Sequence, residues 1–414
     1  MSSSTFALHL ATERTLDEIV RDGARRMLQQ ALEEEVEAYL QAHAQERDEA
    51  GHRLVVRNGH KPERTLLTAS GPLPVRQPRV DDRRVGPDGE RFRFTSQILP
   101  PYLRKTKNIE ELIPWLYLRG ISTNAMGDAL GALGFDGSGL SASSVGRMKQ
   151  LWQGQWEDWS KRSLEGKRYV YVWADGIHFN LRLEEGDANR VCVLVLIGAT
   201  EAGEKELIAV CDGYRESADS WKCLLRDLKE RGLEEGPKLA IGDGALGFWT
   251  ALAEVYPLCR TQRCWVHKTA NVLDKLPKGL QPAAKKQLHE IYLADTKAEA
   301  IKAFDRFIHQ YQLKHPKAAE CLFKDKDRLL SFYDYPAEHW GHLRTTNPIE
   351  STFAGVRLRT DKTKGCGTRS ACLSMVFKLC ELAQKHWRKL NGSAWLPELL
   401  NGAVFEDGKL RMAA

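Results

Sequence analysis

Three carboxylates stand where their chemistry matters more than their number. Asp175 follows the apolar run Val170–Ala174 and precedes Gly176, and Asp243 follows "LAIG" and precedes Gly244. An acid at the end of a buried strand must be ion-paired, protonated or bound to a cation, and strand ends are where sites in open α/β sheets are built. The third, Glu350, lies in "TTNPIESTF" (345–353). There Asn347 reads as a helix N-cap, Pro348 as the first helical residue and Glu350 as the acid three residues past the cap, so capping alone would explain it. If the two aspartate strands are neighbours and the Glu350 helix packs across them, the acids form an all-oxygen cage. Oxygen donors suit Mg²⁺, with Mn²⁺ as a substitute, and two such ions about 3.5 to 4 Å apart suit in-line displacement at a phosphodiester.

The elements must bring these acids together. Arg168 opens a run of strand patterns: "RYVYVWADG" continuing into "HFNLRL", then "VCVLVLIGA", then "KELIAVCDG", joined as antiparallel neighbours by turn residues. A helix from Ser220 to Arg231, a strand "KLAIGD", a helix "FWTALAEVY" and a short strand near "CRTQRC" follow. Residues 268 to about 343 read as helices broken by Pro282, Pro316 and Pro336. On the helix after Pro348, the residues Ile349, Phe353 and Val356 make an apolar stripe that Glu350 flanks. Asp-Gly also occurs at Asp88, Asp136, Asp212 and Asp407, where a turn is its default meaning. Asp212, ending the third strand, is the main decoy.

Upstream, Leu16 to about Ala44 repeats apolar residues at helical spacing, and 51–94 is rich in Arg, Gly and Pro with short β-like runs. Three helical runs, Ile109–Arg119, Thr123–Leu133 and one opened by "SASSVGRMKQLW", have helix-turn-helix spacing, with Arg147 and Lys149 as candidate DNA contacts on the third. A plain three-helix spacer fits the same spacing.

The net charge of +6 is too mild to establish a polyanionic partner by itself, but Arg357, Arg359, Lys362 and Lys364 crowd together just past Glu350, with Asp361 interrupting them. Nine cysteines form no paired framework, as expected of reduced thiols. Cys259, Cys264 and His267 lack a second ligand pair at zinc spacing, so no zinc is expected. No stretch approaches the roughly 20 apolar residues of a membrane span, and the start lacks the basic region, apolar core and cleavage site of a signal peptide, which points to a cytoplasmic protein with no membrane partner.

The segments "VWADGIHFNLR", "IGDGALGFW", "CRTQRCWVHKTANVLDKLPK" and "HLRTTNPIESTFAGVRLRTDKTKGCG", with "YLRGIST" upstream, closely resemble the bacterial insertion-sequence transposases of the Mutator family. The resemblance implies an α/β fold with a ribonuclease H-like catalytic core, a mixed sheet with flanking helices interrupted by an all-helical insertion and preceded by a helical DNA-binding region. It implies Asp175, Asp243 and Glu350 as catalytic, metal-binding residues of a DDE triad, with a two-ion Mg²⁺ site. It marks Cys264 and His267 as a Cys-x-x-His signature, either structural or touching the DNA end, where Trp265 is a candidate to stack on an unpaired base or else a core residue.

The expected organisation is an N-terminal arm over 1–50 that is a candidate for dimerisation, a basic β-rich module over 51–100 and a helix-turn-helix-like domain over 101–160. The core's first part spans 165–267, the helical insertion 268–343 and the C-terminal helices 344–414. The expected activity is binding of double-stranded DNA at terminal inverted repeats, metal-dependent cleavage and strand transfer into target DNA, by a homodimer or larger synaptic assembly associated with the bacterial nucleoid. Two rivals are a ribonuclease H-like structure-specific endonuclease and a domesticated, non-catalytic DNA-binding regulator.

Overall fold

The computed structural model describes residues 15–121, 142–184, 189–213, 217–244, 246–362 and 365–411. The chain forms two compact units, Met1–Met148 and Lys149–Ala414.

In the first unit a single helix spans Leu16–Ala42, started by a reciprocal capping box between Thr15 and Glu18. Its apolar stripe divides. Leu28 and Leu32 join Leu66, Leu73, Val75 and Leu99 in a small core, whereas Leu16, Ile19, Val20 and Met27 are exposed. The sheet is broken into two antiparallel pairs, β1 (Val55–His60) with β4 (Pro78–Asp82), and β2 (Arg64–Thr68) with β3 (Gly71–Val75). Prolines at 72, 74 and 78 help explain why these strands stay short, since each removes a ladder donor. The helix Lys107–Leu118 follows. The middle run of the expected helix-turn-helix, 123–133, lies outside the described residues, and the third helix spans Ala142–Ser160.

The second unit is built on five strands: β5 (Tyr169–Asn180), β6 (Arg190–Thr200), β7 (Lys205–Gly213), β8 (Leu239–Gly242) and β9 (Arg260–Arg263), in the order β7-β6-β5-β8-β9. β5, β6 and β7 are antiparallel neighbours, and β8 and β9 run parallel to β5. The helices Ala218–Glu230 and Leu246–Val255 contribute Trp221, Leu225, Phe248 and Leu252 to a core shared with Val172, Ala174, Leu194 and Ala240. Each of the Val, Leu and Phe side chains among them is worth about 1.5 to 3 kcal/mol when fully buried. The helix Asn347–Lys362 packs on β5 and β6, and Arg369–Gln384 packs on β7.

Between Asp274 and Thr346 the described residues are helices and turns, chiefly Gln281–Tyr292, Lys297–Tyr311 and Pro316–Phe323. A buried cluster ties this segment to the sheet edge. Asp325 bridges the Arg263 guanidinium at 2.9 Å and the fully buried Lys268 ammonium, while Gln262 and Trp265 both donate to the Leu329 carbonyl. All nine cysteines are free thiols.

Candidate active site

The strand register brings the two aspartates side by side. In the parallel ladder of β5 and β8 the last pair is Ala174 with Gly242, so Asp175 and Asp243 are the next residues on adjacent strands, whose spacing is about 4.8 Å. Side chains alternate along β5, which gives Trp173 and Asp175 a common face. The Trp173 indole N–H donates to the His342 carbonyl at 3.1 Å, so this is the face on which the segment leading to Glu350 lies. Gly244 turns the chain at φ 96°, and a Cβ there would run into the Arg263 guanidinium. All three carboxylate residues are half-buried.

Glu350 is not held as the sequence suggests. The amides of Ile349 and Glu350 donate to the Thr346 carbonyl at 2.9 and 3.0 Å, so Thr346 occupies the cap position, with Asn347 and Pro348 as the first two helical residues. Glu350 therefore sits one place beyond the capping-box position. Its Oε1 instead accepts from the Thr346 hydroxyl at 2.5 Å, and the buried Thr346 amide donates to Cys264 Sγ at 3.4 Å. Sequence reasoning missed Thr346. Its signal was a hydroxyl residue directly before Asn-Pro, the ordinary mark of an N-cap.

Cys264 is the residue before the helix Trp265–Leu273, and its amide donates to the Gly242 carbonyl at 2.8 Å, next to Asp243. That fixes His267, three residues on, with Nδ1 at 3.5 Å from Glu350 Oε1. The hydrogen bond with Cys264 raises the His267 pKa; burial opposes this, but the charges of Cys264, Glu350 and Asp243 add to the rise, to about 9. Burial pushes the Cys264 thiol up, yet hydrogen bonds from His267 and Thr346 outweigh it and leave it below its ordinary range. One donor atom each from Cys264, His267 and Glu350 lies within 4.8 Å of the others. With no ion bound, the raised pKa favours an imidazolium at His267, a cation beside the Glu350 carboxylate.

Other sequence candidates fall elsewhere. Trp265 is fully buried, its ring against Tyr292, so it offers no face to a base: it is a core tryptophan. Arg359 is only 3% exposed, turned inward by the same helical periodicity that buries Val356, and is not a surface contact. Arg357 is exposed, with its guanidinium over the Phe353 ring. The Lys362 side chain and Lys364 lie outside the described residues. Arg147 is exposed and Lys149 half-buried. Asp212 pairs with the Arg369 guanidinium at 2.6 Å.

The family model described as "Transposase, Mutator family" matches residues 2–390. The chain belongs to the Mutator family of transposases. Among its relatives, the transposase for insertion sequence element IS6120 of Mycolicibacterium smegmatis is 49% identical over 302 residues, which are 73% of this chain and 92% of that protein. The transposase for insertion sequence element IST2 of Acidithiobacillus ferrooxidans is 48% identical over 283 residues, 67% of this chain and 92% of that protein. Of solved structures, the Drosophila P element transposase strand transfer complex covers 78% of this chain and 85% of its own at 10% identity, with a TM-score of 0.28, too low to speak for a shared fold. The matched span of this Mutator family transposase includes Asp175, Asp243, Glu350 and the Cys264–His267 pair.

Proposed function

We propose that the chain cleaves DNA at the terminal inverted repeats of an insertion sequence and joins the freed 3′ hydroxyl to target DNA by a DDE mechanism on a ribonuclease H-like core. The observation that carries this reading is the register: Ala174 opposite Gly242 leaves Asp175 and Asp243 adjacent, beneath the helix that bears Glu350. The strand order β7-β6-β5-β8-β9, with three antiparallel strands and then two parallel to the first, is the order that reading requires. The division into a core over 165–267 and 344–414 with a helical insertion over 268–343 belongs to the same proposal.

The donor set fits Mg²⁺ or Mn²⁺: three half-buried carboxylates supply hard oxygen ligands. Ions held there would activate water or a 3′ hydroxyl and take up charge on the leaving oxygen. The protein's own part is positional. Thr346 orients the Glu350 carboxylate, and the protonated His267 sets a positive charge beside Glu350 and within electrostatic reach of Asp243, where it would attract a phosphodiester. No covalent protein nucleophile enters. The exposed stripe of Leu16, Ile19, Val20 and Met27 supports the N-terminal helix as the dimer contact that synapsis of two ends needs.

The test is a labelled element end incubated with target plasmid and Mg²⁺ or Mn²⁺, comparing wild type with Glu350→Gln. The expected result is nicked and joined products from wild type, and DNA binding without either step from the variant. A fully active variant would sink the triad.

A further inference from the structure

A second basic feature lies in the first unit, distant in sequence from the carboxylates just described. A groove of about 850 Å³ opens between β2 and the chain that follows Pro100, lined by Lys61, Arg64 and Arg104 with Tyr102 among its residues. The segment is fixed there as a partial third strand: the Leu67 amide donates to the Arg104 carbonyl at 2.8 Å and the Thr106 amide to the Leu67 carbonyl at 2.9 Å. Arg64, half-buried, is pinned by donating to the carbonyls of Leu99 and Pro100 at 3.4 and 3.2 Å, and Lys61 donates to the buried Gln77 side chain at 3.2 Å. Among the described residues no carboxylate lines this groove or pairs with any of the three cations. Glu63, next in sequence, faces a different hollow.

Two further observations set this groove apart from a solvated basic face. Burial and the neighbouring Arg104 charge both lower the Arg64 pKa, so two guanidiniums repel each other across a space that an anion would relieve. Tyr102 stands at φ 69°, a left-handed backbone that costs a non-glycine residue roughly 1 kcal/mol or more, and the residue is 92% exposed. Among the described residues of this unit no hydrogen bond or ring contact engages that side chain. A strained, protruding tyrosine beside fixed cations matches the side chains that grip a nucleic-acid backbone, where arginine, lysine and tyrosine donate to phosphate oxygens.

We propose that this groove binds the sugar–phosphate backbone of duplex DNA, with Lys61, Arg64 and Arg104 on phosphates and the Tyr102 hydroxyl donating at the rim. The proposal rests on the reading of the chain as a DNA-processing transposase and adds a contact surface remote in sequence from the carboxylates. Phosphate contacts position a protein without reading sequence, so the groove serves an element end and unrelated duplex alike.

Binding of the full chain to a labelled element end and to a scrambled duplex is measured across a salt series. Lys61→Gln and Arg104→Gln are each expected to weaken both duplexes equally, by about three- to tenfold, and to reduce the slope of log K against log salt by about one. Tyr102→Gly suits the left-handed backbone, so it should lower affinity while leaving the melting temperature unchanged or raised, whereas a purely structural tyrosine would lose stability. Arg79→Gln, an exposed cation of β4 outside the groove, is the control. Groove variants that bind like wild type, or an equal loss in Arg79→Gln, would overturn the groove. A wild-type chain that holds no duplex at low salt would overturn the DNA reading itself, and the groove with it.

Discussion

The hydroxyl of Thr346 offers the sharpest perturbation, because Thr346→Val keeps the shape and removes the short contact to Glu350, together with the longer one, 3.3 Å, to Cys264 Sγ. The Thr346 Oγ1 to Glu350 Oε1 distance is 2.5 Å, and the residue is fully buried. A hydrogen bond to a carboxylate is worth about 1.5 to 3 kcal/mol, and each 1.36 kcal/mol of barrier is tenfold in rate, so the loss is worth roughly 10- to 150-fold if the bond serves to orient the acid. The backbone amide still reaches Cys264 Sγ, so the helix start survives. The assay is single-turnover nicking of an element end, with DNA affinity measured separately. Nicking should fall within that range at unchanged affinity, and Thr346→Ser should restore most of it. Wild-type nicking by the valine variant, or equal impairment in both variants, would refute the positioning argument, since a cavity or folding defect does not discriminate a serine hydroxyl from none.

Asp325→Asn leaves the fully buried Lys268 beside Arg263 without its anion, and breaking such a pair costs about 3 to 5 kcal/mol, read as a lowered urea midpoint; a change under about 1 kcal/mol would count against the cluster as the tie to the sheet edge. Asp82 accepts from Arg84 and Tyr39, and chiefly the Arg84 hydrogen bond, which outweighs burial, lowers its pKa from 3.8 to about 2. A depressed carboxylate stabilises above its unfolded pKa and loses that contribution as pH falls from about 4 towards 2, worth about 2 kcal/mol here. Hydrogen exchange in β1 and β4 should quicken over that window in wild type, and Asp82→Asn should flatten the response; an unchanged pH dependence in the variant would contradict it. Asp212→Asn removes a half-exposed pair with Arg369, so stability should move by no more than about 1 kcal/mol and nicking should stay within twofold; abolished nicking with intact DNA binding would make Asp212 a fourth site acid.

The strand pattern from Arg168 onward was legible because apolar runs such as "VCVLVLIGA" are too short and too β-branched for helices, and the observed sheet follows their order. The stripe of Ile349, Phe353 and Val356 was legible from its helical spacing, and all three are fully buried. Other features were not. The basic run after Glu350 reads as one surface, but a helix turns each residue by about 100°, so Arg357 faces outward while Arg359 is carried in beside the core. Trp265 was ambiguous because a tryptophan beside a Cys-x-x-His pair looks the same in sequence whether it packs or stacks, and only the packing of residues 64 positions away decides. The register of β5 against β8 also lies beyond local pattern, since a shift of one residue would leave each strand's composition unchanged.

The difference between Asn347 and Thr346 as the cap bears directly on what Glu350 is for. A capping-box glutamate reaches back to the cap residue's own amide and is thereby used up in the helix start. Here the Thr346 amide is turned to Cys264 Sγ, the Thr346 carbonyl takes the amides of Ile349 and Glu350, and the hydroxyl meets the Glu350 carboxylate with Cys264 Sγ 3.3 Å away. The helix thus starts without needing the glutamate, and the glutamate is oriented by a donor that leaves its second oxygen to other partners. Glycine or alanine at 350 would leave the backbone bonds of that first turn in place, so the carboxylate is free of a capping duty. On the proposed reading its use is electrostatic: Asp175 and Asp243 stand at the end of the adjoining ladder, the His267 imidazole lies 3.5 Å away with its pKa raised, and Glu350 would complete the acidic cluster.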